Sequence, residues 1–498
     1  MVIYDVKQGG TYSVYDERSV PARLGQGLNE TGFLGDDAIA RTIHGLQLFR
    51  DVMRFEAVRH VVPIATSAAR EAANRSAFVE EIFRQTDFKL RILSGKEEAL
   101  YSYAGAISST ARSDVLFFDL GGGSLEIVSS KEGRTRKIMS LPLGGLRLTE
   151  FYSSRGGAFT AKDLAKMRKR IFQVLPDRRQ LGMDRKAVLL GVGGTLRALA
   201  RFHQELNEYP LNKIHNYEME KESIKYALTE LSEMKPEQIG SIDSIGEDRS
   251  RTIVAGTMVV DSIMSKIGFE ELVVSTHGLR DGVLQEYIGN ALAYESLSIN
   301  GRNRRGHQSL LWKAPVTFEF TEDLLEAIIS HGLIDEKDQV ILVHALGQLL
   351  VKPVDYGAEA LFYMIIDEDS TLSHRDEVLA ALTVVRARKP RVADWLFSKY
   401  KSMLPSKSKN RIKKLSALSE MFEILERTRT RIAIAPPKAG GGRKIEIRLL
   451  PEGEDFPIVL FKSVTRKVGE ILDYSIECVL SKVVASGQSP RMPHRRAE

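Results

Sequence analysis

The chain has 498 residues, 43% of them apolar and 27% charged, with a net charge of +6. That balance excludes a disordered or fibrous chain, and the length suggests about three domains. A single cysteine, Cys478, excludes an intrachain disulfide framework and a cysteine-based metal cluster and reads as a small buried apolar residue. No stretch approaches the roughly 20 apolar residues that span a bilayer. The opening MVIYDVKQGG has no basic region followed by an apolar run, so a membrane partner and a signal peptide are not expected and the cytoplasm is the default compartment. A basic chain can hold nucleic acid, acidic lipid or another polyanion, and composition alone does not choose.

Taken in chain order, VIYDV and TYSVYD read as a hairpin joined by KQGG. Residues 36–55 carry apolar side chains at Ile39, Ile43, Leu46, Phe49 and Met53, one face of a helix. VVPIAT reads as a strand, SAAREAANRSAFVEEIFRQ as one helix and KLRILS as a further strand. The pattern then resumes with a strand ending at Asp119, a turn at 121–124, and strands in LEIVSS and TRKIMSLP. KAVLLGVGG and ELVVSTHG follow, each leading into a helix. Such alternation implies a layered α/β fold. LEIVSSKEG before SLPLGGLRLTE matches MVIYDVKQGG before ARLGQGLNETG, which suggests an internal duplication. On that register Val2–Val6 is the second strand of the first half, which lacks its own equivalent of VLFFDLGGGS, so its phosphate site is expected to be incomplete.

Residues 300–435 carry helical periodicity at 324–332, 340–350, 377–386 and 415–427. Pro436–Arg443 reads as a linker, KIEIRLL and PIVLFK as strands, SVTRKVGEILDYSIECVL as a helix, and SGQSPRMPHRRAE as a disordered tail. The run RARKPR, SKYK, SKSKNRIKK within 386–414 is either a track for a polyanion or a solvated helical face. It shows no interleaved aromatic motif, so nucleic acid is not expected as a partner.

Chemistry concentrates in a few places. In FFDLGGGSLE a strand delivers Asp119, a hard oxygen ligand suited to Mg²⁺, and Gly121, Gly122, Gly123 and Ser124 can form an anion nest of backbone N–H groups. The plain alternative is a hairpin tip. GVGGTLRAL places Gly193, Gly194 and Thr195 between strand and helix, as in a phosphate loop or a tight packing turn. ILSGKEEALYSYAG puts Glu97 and Glu98 in a first helical turn, where the dipole favours acids anyway. One of the pair can face a cleft as a general base, the other cannot. Arg70 in ATSAAREAANR offers a planar fork to phosphate oxygens, or is a surface arginine. Arg280 and His277 in THGLRDG stand after another strand–glycine turn.

ATSAAREAANR, SGKEEALYSYAG, DLGGGSLEIV, LPLGGLRLTE, GVGGTLRALA, RTIVAGTMVV and THGLRDGVL, in this order, resemble the signature series of the exopolyphosphatase/guanosine pentaphosphate phosphohydrolase family. The resemblance covers about residues 1–290. It implies a duplicated ribonuclease H-like, actin-like core, with a first domain at 1–104 and a second at 105–298. A helical, degenerate HD-like domain at 299–435, a small α+β domain at 440–485 and a tail at 486–498 would follow. It implies Mg²⁺-dependent release of terminal phosphate from polyphosphate or guanosine pentaphosphate, with Glu98 as the catalytic carboxylate and Glu126 as a second acid near metal or water. Asp119 would hold the metal. Arg70, Gly121–Ser124 and Gly193–Thr195 would bind phosphate, with Arg280 beside them, and the chain would be a homodimer. The family opens with a strand ending in an Asp-x-Gly-Ser-Asn loop, and this chain begins after it. In the helical domain Ile366 stands where the family has a histidine before Asp367, and isoleucine cannot ligate a metal. A non-catalytic polyanion sensor is the reading from another functional class.

Overall fold

The computed structural model describes residues 1–6, 12–110, 112–153, 158–184, 186–288, 320–330, 332–352, 357–434, 444–452 and 456–480. The KQGG turn, the 436–443 linker and the tail lie outside them. The chain divides into two compact units, Met1–Trp312 with Asp369–Thr371, and Lys313–Glu368 with Leu372–Glu498.

The first unit begins with β1 (Val2–Val6) and β2 (Tyr12–Glu17), paired antiparallel. Helices α1 (Leu28–Thr31) and α2 (Asp36–Phe55) lead to β3 (Ile64–Ala65), α3 (Ser67–Glu71), α4 (Arg75–Thr86) and β4 (Arg91–Ile92). β3 and β4 pair parallel and are far shorter than the apolar runs VVPIAT and KLRILS suggest. The single helix expected from SAAREAANRSAFVEEIFRQ is two helices. Ala72 is extended, and the Asn74 amide exchanges two hydrogen bonds with the backbone of Leu34, both 2.9 Å, which pulls the chain out of helical register. Leu34, Ile43, Ala69, Phe78 and Ile82 close a small core around these elements.

Helix α5 (Gly95–Ser108) joins this half to a six-stranded sheet. Its strands are β5 (Val115–Leu120), β6 (Leu125–Lys131), β7 (Arg134–Leu141), β8 (Val188–Val192), β9 (Tyr217–Glu220) and β10 (Glu271–Val274), in the order β7-β6-β5-β8-β10-β9. β5 is central: antiparallel to β6, parallel to β8, and fully buried from Val115 to Phe118. Both of its faces are covered, so its sequence is a continuous apolar run rather than an alternation. Helices α6 (Gly145–Tyr152), α7 (Ala161–Val174), α8 (Gly194–Leu206), α9 (Lys221–Glu233), α10 (Pro236–Gly240), α11 (Glu247–Ser250), α12 (Ile253–Ile267) and α13 (Leu279–Tyr287) complete the unit. α5 and α13 pack backbone to backbone. A Cβ on Gly105 would lie 2.0 Å from the Gly278 carbonyl oxygen, and one on Gly282 would lie 2.0 Å from that of Tyr101.

The second unit is helical up to Arg427, with helices at Glu322–Ser330, Glu336–Val351, Ala358–Asp367, His374–Arg388, Pro390–Lys399 and Ser408–Arg427. Ile366 is buried in this core and Asp367 is exposed. A three-stranded sheet follows, Thr430–Ile434, Lys444–Pro451 and Ser475–Leu480. The strand expected at PIVLFK is instead the start of helix Ile458–Leu472, and DYSIECVL leaves that helix for the last strand. Pro457 caps the helix start and left-handed Asp473 ends it, signals that outrank the apolar run. Cys478, on that edge strand, is half-buried rather than buried.

Part of the basic run is paired within the unit. Arg386 pairs with Asp394 at 3.1 Å, and Arg411 and Lys414 both pair with Asp338. Arg388 and Arg427 both pair with Glu423. These cations tie helices to one another.

Candidate active site

The site is built on the face of the sheet that α5 covers. Asp119 on β5 lies directly opposite Glu126 on β6, and Glu126 directly opposite Ser140 on β7. Residues so paired share a face, so the three form a row across the strands. Gly95, the first residue of α5, lets the helix settle on β7: a Cβ there would come within 2.7 Å of the Ser140 side chain. Seated this way, α5 lays Glu98 and Ser102, one turn apart, over the row. Ser102 Oγ donates to Asp119 Oδ2 at 2.6 Å, and Ser140 Oγ donates to Glu126 Oε1 at 2.7 Å.

The paired glutamates of the SGKEEA motif separate as helix geometry requires. Glu97 accepts from the Ser94 backbone N–H, Ser94 Oγ accepts from the Glu97 N–H, and Arg91 pairs with Glu97 at 2.8 Å. It is a capping residue, held at about 2 by the Ser94 backbone and Arg91. Glu98 is buried, and its Oε2 accepts from Arg70 Nη1 at 2.8 Å. The same nitrogen donates to the Leu93 carbonyl, which fixes the guanidinium against α5.

Electrostatics mark this cluster as unsettled. Burial pushes Asp119 up to about 6, with Glu98 adding to the rise and Ser102 opposing it. Burial and then Glu98 push Glu126 up to about 8. Asp119 nevertheless keeps part of its surface open. Acids raised by burial and by a neighbouring carboxylate are a setting that a divalent cation would relieve. No group of three or more His, Cys, Asp or Glu among the described residues is arranged to ligate a metal. Asp119, with Glu126 beside it, is the donor set that fits one, through hard carboxylate oxygens.

The loop Gly121–Ser124 is both a hairpin tip and an amide cluster. Gly121 N–H closes the tip on the Ser124 carbonyl at 3.1 Å. The carbonyls of Gly121 and Gly122 accept from the N–H groups of Gly145 and Arg147, and that of Gly123 accepts from Arg147 Nε at 2.8 Å. In a trans peptide the next N–H points opposite its carbonyl. The N–H groups of Gly122, Gly123 and Ser124 therefore point away from α6, and they have no protein acceptor among the described residues. None of these glycines is left-handed. Gly123 is crowded by its neighbour, since a Cβ there would lie 2.4 Å from Ser67 Oγ, and on the facing turn a Cβ on Gly144 would lie 2.3 Å from the Gly122 oxygen.

The second loop follows β8. Gly193 has φ +119°, and a Cβ there would lie 2.5 Å from the Leu120 carbonyl, so this turn sits directly behind the end of β5. Gly194 is covered by the Arg249 guanidinium, and Thr195 is buried. The side chains of Arg197, in the first turn of α8, and Arg249 have no hydrogen-bond or ion-pair partner among the described residues, and both are held below the usual arginine range by burial and by neighbouring cations. Arg280 is exposed and paired with Glu17 of β2 at 2.6 Å, so its fork is engaged away from the carboxylate row.

Sequence reasoning missed Ser102, Ser140, Arg197, Arg249 and Arg147. The Glu98–Ser102 spacing of one helical turn and the position of Arg197 just after Thr195 were available signals. Arg249 and Ser140 carry none, because only the fold brings them in.

A model of the Ppx/GppA phosphatase family matches residues 2–291. A bifunctional 3-dehydroquinate synthase/phosphatase from Fusobacterium nucleatum is 27% identical over 282 residues, 54% of this chain, which spans 41% of that protein. Exopolyphosphatase 2 from Mycobacterium tuberculosis is 28% identical over 294 residues, 57% of this chain and 91% of that protein. The crystal structure of an exopolyphosphatase from Cytophaga hutchinsonii shares the fold with a TM-score of 0.54 at 20% identity, covering 60% of this chain and 95% of its own. The motifs, the sheet and the family match agree over the same stretch, and the chain belongs to the Ppx/GppA phosphatase family.

Proposed function

We propose that this chain hydrolyses the terminal phosphoanhydride of inorganic polyphosphate, with Mg²⁺ as cofactor. The observation that supports this most is the meeting of Glu98, Asp119 and Glu126 on one sheet face, under Arg70 and between two glycine turns. Mg²⁺ held by Asp119, with Glu126 at hand, would neutralise charge on phosphate oxygens. Glu98 takes a proton from the attacking water. Arg70 orients Glu98 through their 2.8 Å contact and offers its remaining N–H groups to the terminal phosphate. The N–H groups of Gly122, Gly123 and Ser124 receive phosphate oxygens, and Gly193–Thr195 with Arg197 and Arg249 hold the phosphates that follow. Guanosine pentaphosphate presents the same terminal anhydride and is the second substrate to assay.

Phosphate release should be measured for the wild type and Glu98→Gln on both substrates across a Mg²⁺ titration. Loss of a general base lowers the rate about 10²–10⁴-fold. Polyphosphate binding should survive the substitution. An unchanged rate in Glu98→Gln, or a wild-type rate indifferent to Mg²⁺, refutes the proposal.

A further inference from the structure

The loop Gly121–Ser124 is oriented by its carbonyls, and one of the three depends on a side chain. Backbone N–H groups of α6 hold the carbonyls of Gly121 and Gly122, whereas Gly123 relies on Arg147 Nε. The other end of the same guanidinium, Nη2, pairs with Glu71 Oε2 on α3, in the other half of the core. Glu71 Oε1 in turn accepts from Ser67 Oγ at 2.9 Å, and Ser67 is the residue that touches Gly123. Ser67, Glu71, Arg147 and Gly123 thus close one ring across the cleft. Arg70, the neighbour of Glu71, carries the contact to Glu98.

We propose that the Arg147–Glu71 pair is a clasp that holds the two halves together at the phosphate loop, with Arg147 as a positioning residue for substrate phosphate. This rests on the phosphate-release reading above. Without Arg147 the Gly123 carbonyl loses its donor and the peptide between Gly123 and Ser124 is free to rotate. The Ser124 N–H then leaves the direction it shares with those of Gly122 and Gly123. The same loss removes one anchor of α3, while Arg70 stays held by the Leu93 carbonyl and Glu98. Arg147 meets no carboxylate of the catalytic row, so its loss should weaken phosphate binding more than proton transfer.

The test compares Arg147→Ala, Arg147→Lys, Glu71→Ala and the double alanine variant in the full chain. KM for polyphosphate should rise about tenfold in Arg147→Ala while kcat changes less than about threefold. Inhibition by inorganic phosphate should weaken in parallel. The double variant should be no worse than Arg147→Ala, because the two residues act as one unit. Arg147→Lys should fall between, since one ammonium cannot serve both Gly123 and Glu71. An unchanged KM, or additive losses, overturns the clasp. Hydrogen exchange read at residues 67–72 and 122–124 separates this from failure of the enzyme reading. Should the wild type release no phosphate, faster exchange at both segments in Arg147→Ala still supports the clasp, and unchanged exchange overturns it.

Discussion

The two halves of the first unit follow the same order of elements yet are built to different standards. Each has an antiparallel hairpin, then helices, then a parallel strand pair, then a helix that crosses to the other half. In the second half, β5 lies between hairpin β6–β7 and strands β8 and β10, joining all into one sheet. In the first half, the hairpin β1–β2 and the pair β3–β4 remain separate two-stranded sheets, and no strand joins them among the described residues. The carboxylates Asp119 and Glu126 therefore stand on a buried, fully hydrogen-bonded floor. The cation Arg70 stands on a five-residue helix of the slighter half. The acids rest on the sheet itself, whereas Arg70 is held through side-chain contacts to the Leu93 carbonyl and Glu98.

Hydrogen exchange should show the largest contrast. Local opening is easiest where few apolar contacts close over the strands. Residues of β1 are only half-buried or exposed, and Val14 and Tyr15 of β2 are more than half exposed, while β5 is sealed. Amides of β5 and β8 should exchange at least about 100-fold more slowly than those of β1 to β4, the ratio for an opening cost greater by roughly 3 kcal/mol. Equal protection in both halves would break the comparison.

A smaller effect tests how the halves are joined. Gly282→Ala places a methyl group against the Tyr101 backbone, which cannot swing aside as a side chain does. Overpacking of this kind costs about 1–3 kcal/mol. Gly35→Ala is the control, since nothing lies within 4 Å of its Cβ position and its φ is −73°. The thermal midpoint should fall for Gly282→Ala and stay nearly unchanged for Gly35→Ala. Equal midpoints would show that the α5–α13 contact does not tie the halves.

Much of this site was legible before the fold, and the reason is local. Asp119, Gly121–Ser124, Glu98 and Gly193–Thr195 sit at strand ends or helix starts, where sequence and geometry are tied over a few residues. The order of elements and the repeat were legible for the same reason. What failed depended on distant partners. The break between α3 and α4 is set by Leu34, a partner forty residues away in the chain. The helix at 458–472 was misread because its apolar opening fits either period, and only Pro457 and Asp473 decide it.

The last effect concerns pH and tests the rigid half alone. Glu126, on the fixed floor, holds its proton up to about 8, chiefly because burial disfavours its charge. An unfolded glutamate releases its proton near pH 4.3. Between those values the native state binds a proton that the unfolded state has lost, so stability falls as pH rises through this window. The contribution is fully present below the unfolded value and gone above the folded one. Asp119 adds a slope of the same sign over a narrower range, ending near 6. In metal-free buffer the urea midpoint of the wild type should therefore drop between pH 5 and pH 8. Glu126→Gln keeps an uncharged amide there at all pH values and should flatten that drop. Added Mg²⁺ should flatten it in the wild type and do much less in the variant, because the cation offsets the same buried charge. A variant whose midpoint falls as steeply as the wild type would show that Glu126 is ionised throughout, and that the acids on the sheet are not under the strain their placement implies.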